Sequence, residues 1–214
     1  MGRTQKILTV TLWGILVLAM VAAIGAGVAD RMHKMPPLPP AAALDVLFDA
    51  PAFSLTDQNA KPASSQDLRG HVWIADFIFT QCASICPLMT QQMAQLQHSI
   101  PDSSVRMVSF SVDPTHDTPE VLKQYAKTRG ADESRWFFLT SSKVEYLNAV
   151  ANGFHMGVIP AGPDHPLEHA PQFLLIDAQQ HVRGIYHAND PDSMQKLVRD
   201  AQFLAAEAGK DRSR

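Results

Sequence analysis

The chain has 214 residues, of which 46% are hydrophobic and 18% charged, and its formal net charge at pH 7 is -3. This length and composition support one sizeable folded domain with an extension. The slightly negative charge disfavours nucleic acid as a partner, because nucleic-acid-binding proteins present a basic face.

The N-terminus starts with a basic stub, residues 1–6, followed by an apolar run without charged residues from Ile7 to Val28. As a helix this run would span about 33 Å, which is enough for a bilayer core. We therefore predict a single transmembrane helix within residues 7–29. The alternative is a cleavable signal peptide, because Gly27, Val28 and Ala29 form a small-x-small cleavage pattern.

Both interpretations of the N-terminus export the rest of the chain. The sequence has no Arg-rich organelle presequence, which favours a bacterial inner-membrane protein whose globular domain faces the periplasm. Residues 30–43 contain four prolines and are predicted to be a semi-extended linker. Met32, His33 and Met35 in this linker could bind a soft metal, but we interpret them as part of a solvated tether.

The folded domain is predicted to cover residues 44–208, with a frayed polar tail at 209–214. After a short strand, a turn at 57–60 and a second short segment, strands are expected at 72–79, 105–112, 136–140, 171–177 and 182–187. Helices are expected at 88–98 and 119–128, from a Ser141 or Ser142 cap to about 152, and from about 190 to 208. A loop rich in Gly and Pro fills 157–168.

The two cysteines, Cys82 and Cys86, lie between the first strong strand and the helix that follows it. Pro87 suits the first turn of that helix, where its missing N–H would have no partner. A helix N-terminus favours thiolate over thiol, and a pair of thiolates can bind a soft metal or close as a disulfide. Two core cysteines or a structural staple are the alternatives, but so small a loop would contribute only about 2 kcal/mol as a staple.

Strands alternate with helices through the middle of the chain, and a hairpin and a helix close it. This order predicts an α/β fold with a mixed sheet and helices on both faces. Together with the cysteine pair at a strand-to-helix turn, it looks like a thioredoxin-like fold. Asp76 is an unexpected acid inside the apolar strand, either a buried partner of another polar group or exposed at a sheet edge.

The chain resembles the Sco family of membrane-anchored copper chaperones, which help to assemble cytochrome c oxidase. The similarity covers about residues 47–205. Four motifs carry it in this order: Phe79-Thr80-x-Cys82-x-x-x-Cys86-Pro87; Ser111 to Pro114 with Asp117 to Glu120; Trp136 to Thr140; and His169, four residues before Phe173 to Asp177.

The resemblance implies a copper site made by Cys82, Cys86 and His169. Two thiolates and an imidazole are soft enough for Cu(I) and can also hold Cu(II). His155, His165 and His187 are rival ligands, and we favour His169 because it directly precedes a buried strand, as the family's histidine does.

Three positions depart from the family pattern. Family members commonly have Asp before this histidine and Ser or Thr after it, whereas this chain has Glu168 and Ala170. His116 stands where a charged residue is more usual.

Met89 and Met93 could also bind metal, but their helical spacing indicates core positions.

Three functions compete for the cysteine pair. The first is a copper chaperone without turnover, whose partner would be the copper-site subunit of cytochrome c oxidase or another copper chaperone. The second is a thiol-disulfide oxidoreductase that acts on the cysteines of an exported client, since thiolates that bind copper can also exchange disulfides. A peroxidase of the peroxiredoxin type is disfavoured, because such enzymes place a threonine three residues before the reactive cysteine, and Thr80 lies two before Cys82.

Overall fold

The structure is a computed structural model that describes residues 12–14, 16, 18–20, 44–82, 85–101, 104–156, 158–159, 168–169 and 171–212. The chain divides into two compact units, residues 1–38 and 39–214. In the first unit, the described residues between 12 and 20 are helical and exposed. Among all described residues, no helix is both long and apolar enough to cross a membrane. The stub, the linker and most of the predicted anchor at 7–29 lie outside the described residues, so the anchor stays a prediction.

Ten strands and four helices make up the described part of the second unit. The strands are β1 (Phe48–Asp49), β2 (Ser54–Asp57), β3 (Pro62–Ser64), β4 (Trp73–Ile78), β5 (Arg106–Ser111), β6 (Trp136–Thr140), β7 (Val158–Ile159), β8 (Glu168–His169), β9 (Gln172–Ile176) and β10 (His181–His187). The helices are α1 (Ile85–Ser99), α2 (Pro119–Thr128), α3 (Val144–Gly153) and α4 (Pro191–Arg212). A 3₁₀ turn follows β3 at Ser65–Leu68.

Eight of these strands form one mixed sheet in the order β1-β10-β9-β4-β5-β6-β2-β3. The central strand β4 runs parallel to β5 and antiparallel to β9. Its six residues are all buried, which explains why it is an almost continuous apolar run in the sequence. β7 and β8 form a separate antiparallel pair.

Alternate residues of β4 face two different cores, because successive side chains in a strand point to opposite faces. Ile74 and Ile78 pack in the core that contains side chains of α1, α2 and α4. Trp73 and Phe77 pack in the other core, which contains side chains of α3 and the aromatic rings of Phe110 and Phe154. The predicted mixed sheet with helices on both faces is confirmed.

A buried glutamine completes the edge of β6 where β2 no longer pairs with it. The ladder between β2 and β6 ends at Asp57, opposite Leu139. The side chain of Gln58 then donates from Nε2 to the carbonyl of Trp136 and accepts from the N–H of Phe138, at 3.2 and 2.9 Å. The amide therefore satisfies backbone groups that would otherwise be buried without partners.

The sequence-based element boundaries were wrong in three places. Helix α1 begins at Ile85, so Cys86 lies inside its first turn. Helix α3 has Lys143 at its N-cap with no side-chain cap, because the hydroxyl of Ser141 already accepts from the N–H of Lys143 in the preceding turn.

The third correction concerns the C-terminal helix. Helix α4 continues to Arg212, so residues 209–212 are not a frayed tail. An ion pair of Lys210 with Glu207, at i and i+3 on the same helix, supports this last turn. The short strands β7 and β8 were also missed, within and just beyond the predicted loop at 157–168.

Candidate metal centre

The cysteine turn follows the carboxyl end of β4. The N–H of Cys82 donates to the carbonyl of Phe79 at 3.3 Å, which closes a turn over residues 79–82. Residues 83 and 84 lie outside the described residues, and α1 begins at Ile85. The strand thus delivers Cys82 to the N-terminus of a helix whose first turn contains Cys86.

The two sulfurs have different environments. Cys82 is partly exposed and Cys86 is fully buried, and no disulfide joins them. The backbone N–H of Cys86 donates to Sγ of Cys82 at 3.4 Å. The sulfur of Cys82 therefore accepts one of the N–H groups that a helix N-terminus leaves without an intrahelical partner.

Burial raises the pKa of the Cys86 thiol well above its ordinary value, and nearby Cys82 and Asp76 shift it in the same direction. The expectation that the helix N-terminus would favour thiolate at both cysteines is therefore wrong for Cys86. The largest cause of this shift is the removal of the charged form from water.

Asp76 lies fully buried on β4, with its register partner Ser109 on β5. Neither carboxylate oxygen has a hydrogen-bond partner among the described residues. Burial raises the pKa of Asp76 to about 7, and an interaction with the Ser109 hydroxyl lowers it in part. Asp76 is thus not exposed at a sheet edge, and that interpretation was wrong; the other, a buried acid beside another polar group, agrees with its position opposite Ser109.

A second buried acid, Asp117, contacts the cysteine turn directly. Its carboxylate accepts from the N–H of Thr80, 3.2 Å from each oxygen, and from the Thr80 hydroxyl at 2.5 Å. It also accepts from the hydroxyl of Ser111 at 2.7 Å. Asp117 stands in one of the motifs of the family resemblance, directly before α2, and the N-cap of that helix is its neighbour Thr118, whose Oγ1 accepts from the N–H of Val121.

Helix α2 contacts the cysteine segment at Thr90, one turn beyond Cys86. Thr90, one turn after Cys86, donates its hydroxyl to the carbonyl of Cys86 at 2.8 Å. The hydroxyl of Tyr125 on α2 lies 2.8 Å from the same threonine oxygen. Because the threonine has a single hydroxyl hydrogen, Tyr125 is the donor in this second bond.

The third predicted ligand, His169, is described only through its backbone. It lies on β8 opposite Val158, three residues before β9 begins at Gln172. β9 pairs antiparallel with β4. The chain therefore enters β9 at the same end of the sheet where β4 ends and the cysteine turn begins. Within the described part of the chain, no cluster of three or more His, Cys, Asp and Glu side chains is arranged to hold a metal ion.

The rival ligands are placed as follows. His165 lies outside the described residues, as do Met32, His33 and Met35. His155 packs edge-on against the ring of Phe48, with ring centroids 4.5 Å apart. His187 is exposed on β10. Met89 and Met93 are fully buried core residues, as their spacing indicated.

The fold and the cysteine turn define a class: a thioredoxin-like α/β protein with a thiol pair at a strand-to-helix turn. The particular family follows from the sequence, because the SCO1/SenC family model matches residues 47–202. The chain belongs to the SCO1/SenC family.

Known proteins of this family are similar over most of the second unit. The SCO1 protein homolog of Bacillus subtilis is 31% identical over 72% of this chain and 82% of its own length. A protein of Stutzerimonas stutzeri that is named for copper binding is 28% identical over 69% of this chain and 74% of its own. A solved structure of BsSco, described as having a disulfide switch and as a member of the Sco family of cytochrome c oxidase assembly proteins, superposes with a TM-score of 0.68. It is 30% identical and covers 77% of this chain and 98% of its own.

Proposed function

We propose that this protein is a membrane-anchored copper chaperone that delivers copper to, or helps to mature, the copper site of cytochrome c oxidase. The observation that carries the proposal is the pairing of Cys82 and Cys86 in one turn, with the backbone N–H of Cys86 on the sulfur of Cys82. The relative named for copper binding and the description of BsSco as a cytochrome c oxidase assembly protein support it.

The donor set fits copper as cargo. Two sulfurs are the soft ligands that Cu(I) prefers, and an imidazole from His169 would complete a site that also accepts Cu(II). The buried thiol of Cys86 must lose its proton when copper binds, and the charge of the metal offsets the cost of burying a thiolate.

The apolar run in residues 7–28 supports a helix that anchors the domain in the bacterial inner membrane, with the domain in the periplasm. In that position the copper sites of exported oxidase subunits are within reach. The partner would be the copper-site subunit of cytochrome c oxidase, or another copper chaperone that supplies the metal.

Metal analysis of the full chain, purified in detergent and loaded with Cu(I) or Cu(II), tests the proposal. We expect one copper per chain, and loss of high-affinity binding in Cys82→Ser and in Cys86→Ser, because a hydroxyl is a poor ligand for Cu(I). His98→Ala, at an exposed histidine near the C-terminal end of α1 and so about three helical turns from Cys86, should bind as the unaltered protein does. Unchanged stoichiometry and affinity in both serine variants would refute copper handling by this pair.

A thiol-disulfide oxidoreductase is the second candidate, favoured by the asymmetry of the pair. A partly exposed sulfur can attack a client disulfide, and a buried neighbour four residues away can then resolve the mixed disulfide. Repeated reduction of a disulfide peptide by the metal-free protein, coupled to a dithiol reductant, would support this function. Its absence at every pH between 6 and 9 would leave the chaperone as the sole candidate.

A further inference from the structure

Asp117 occupies an unusual position for an acid. It lies fully buried in the loop between β5 and α2, and burial raises its pKa. The hydrogen-bond donors at its carboxylate are neutral: the N–H and hydroxyl of Thr80 and the hydroxyl of Ser111. Two of these three donors belong to a single residue of the cysteine turn.

A carboxylate suits these donors better than any other side chain of this size. It is acceptor-only when ionised, and its two oxygens can take all three hydrogens. An asparagine that keeps its oxygen on Thr80 would turn its NH₂ group toward the Ser111 hydroxyl, which would then have to accept instead of donate. Hydrogen bonds to an ionised group are also shorter and stronger than neutral ones.

The position of Thr80 determines the position of the Cys82 sulfur. Thr80 lies inside the turn that the bond from Cys82 N–H to Phe79 carbonyl closes. A shift of this turn would move Sγ of Cys82 away from the N–H of Cys86, the contact now made at 3.4 Å. Cys86 is held separately, through Thr90 and Tyr125.

We propose that Asp117 is a positioning residue that fixes Cys82 through Thr80, and so sets the geometry of the two sulfurs relative to each other. This inference rests on the proposed function only in that the same pair of sulfurs would hold copper. Asp117 reaches the cysteine turn through its hydrogen bonds with Thr80.

The direct measure of sulfur positioning is the equilibrium of the metal-free full chain with glutathione. In this reaction the dithiol gives two electrons and two protons to oxidised glutathione, the bond between the two Sγ atoms forms, and two molecules of reduced glutathione leave. The equilibrium constant measures the effective concentration of one thiol at the other, which falls when their geometry is less well fixed.

We expect Asp117→Asn and Thr80→Val each to lower this equilibrium constant, by about tenfold for Asp117→Asn, which raises the reduction potential by about 30 mV. Thr80→Ser keeps the hydroxyl and should restore the value of the unaltered protein. In the Cu(II)-loaded chain, the sulfur-to-copper absorption should weaken in Asp117→Asn and Thr80→Val and be unchanged in Thr80→Ser.

Asp57→Asn is the matched control for lost stability. Asp57 is also a buried acid, but its carboxylate accepts from Asn59 and Lys61 within the β2–β3 turn. Asp57→Asn should lower the melting temperature without changing the equilibrium with glutathione.

The positioning role is refuted if Asp117→Asn resembles Asp57→Asn, or if Thr80→Val and Thr80→Ser give the same equilibrium constant. The second comparison decides the question even if Asp117→Asn does not fold. Failure of the unaltered chain to bind copper would refute the proposed function and leave the glutathione result valid.

Discussion

The backbone N–H of Cys86 points at the sulfur of Cys82, with 3.4 Å between nitrogen and sulfur. One cysteine thus supplies the N-terminal N–H of a helix to the side chain of the other. The accepting sulfur belongs to the partly exposed residue, and the donating residue buries its own sulfur completely. The pair is therefore asymmetric in both access and chemistry.

This asymmetry predicts that a small alkylating reagent modifies Cys82 first. Cys82 can be reached from solvent, whereas Cys86 is buried and its thiol pKa is raised by burial, so little reactive thiolate forms there. Limited treatment of the reduced, metal-free chain with iodoacetamide followed by peptide mass spectrometry should find label on Cys82 alone. Cys82→Ser is the control and should label slowly. Equal labelling of both cysteines would contradict the structure of the turn.

Gln58→Leu should destabilise the domain by about 2 to 5 kcal/mol, because it leaves the buried carbonyl of Trp136 and the N–H of Phe138 without partners. Chemical denaturation measures this difference. Gln97 offers a matched control, since its amide also bridges two backbone groups, of Gly130 and Asp132, but in an exposed position. Gln97→Leu should cost less than about 1 kcal/mol, because water replaces the lost bonds. Similar losses in both variants would show that the buried edge of β6 has no special need of Gln58.

Much of the fold is predictable because it depends on local patterns. The apolar run of β4 and the Thr118-Pro119 start of α2 each indicate their element without tertiary information, and the structure confirms them. The N-cap of α3 at Lys143, instead of at Ser141 or Ser142, was not predictable in this way. A serine can bond the N–H of its own turn as well as that of a helix, and the choice depends on the backbone path between β6 and α3.

The candidate site is less predictable than the fold, for a physical reason. The spacing of Cys82 and Cys86 is local, so the sequence reveals that pair directly. The hydrogen bond from the Thr80 N–H to the Asp117 carboxylate spans 37 residues and exists only because β4 and β5 are neighbours in the sheet. The motif Asp113-Pro114-x-x-Asp117 was visible, but no local pattern tells a capping acid from one that reaches across to another strand.

Asp76 should make the stability of the domain depend on pH. Its pKa is about 7 in the folded protein against an ordinary 3.8, so the folded state binds more protons than the unfolded state between these values. Stability attributable to Asp76 is then highest at or below pH 4 and falls as the pH rises to about 7, by about 4 kcal/mol in total.

Replacing Asp76 with a residue that does not titrate should remove this fall. The difference in unfolding free energy between Asp76→Asn and the unaltered protein should therefore grow in favour of the variant by about 4 kcal/mol from pH 4 to pH 8. Urea unfolding at several pH values measures it. Asp76→Leu, which differs in packing and hydrogen bonding, should show the same pH dependence at another absolute stability. Variant and unaltered curves that stay parallel would mean that Asp76 is ionised throughout this range.

The final prediction concerns His169, whose backbone lies on β8 just before the chain joins the sheet beside β4. Imidazole contributes most to Cu(II), while Cu(I) can remain on two sulfurs alone. His169→Ala should therefore abolish or strongly change the sulfur-to-Cu(II) absorption and leave much of the Cu(I) binding intact. Absorption spectroscopy and metal analysis on the same samples separate the two effects. His165→Ala, four residues earlier, is the matched control and should change neither; a larger effect of His165→Ala would assign the copper site to that histidine instead.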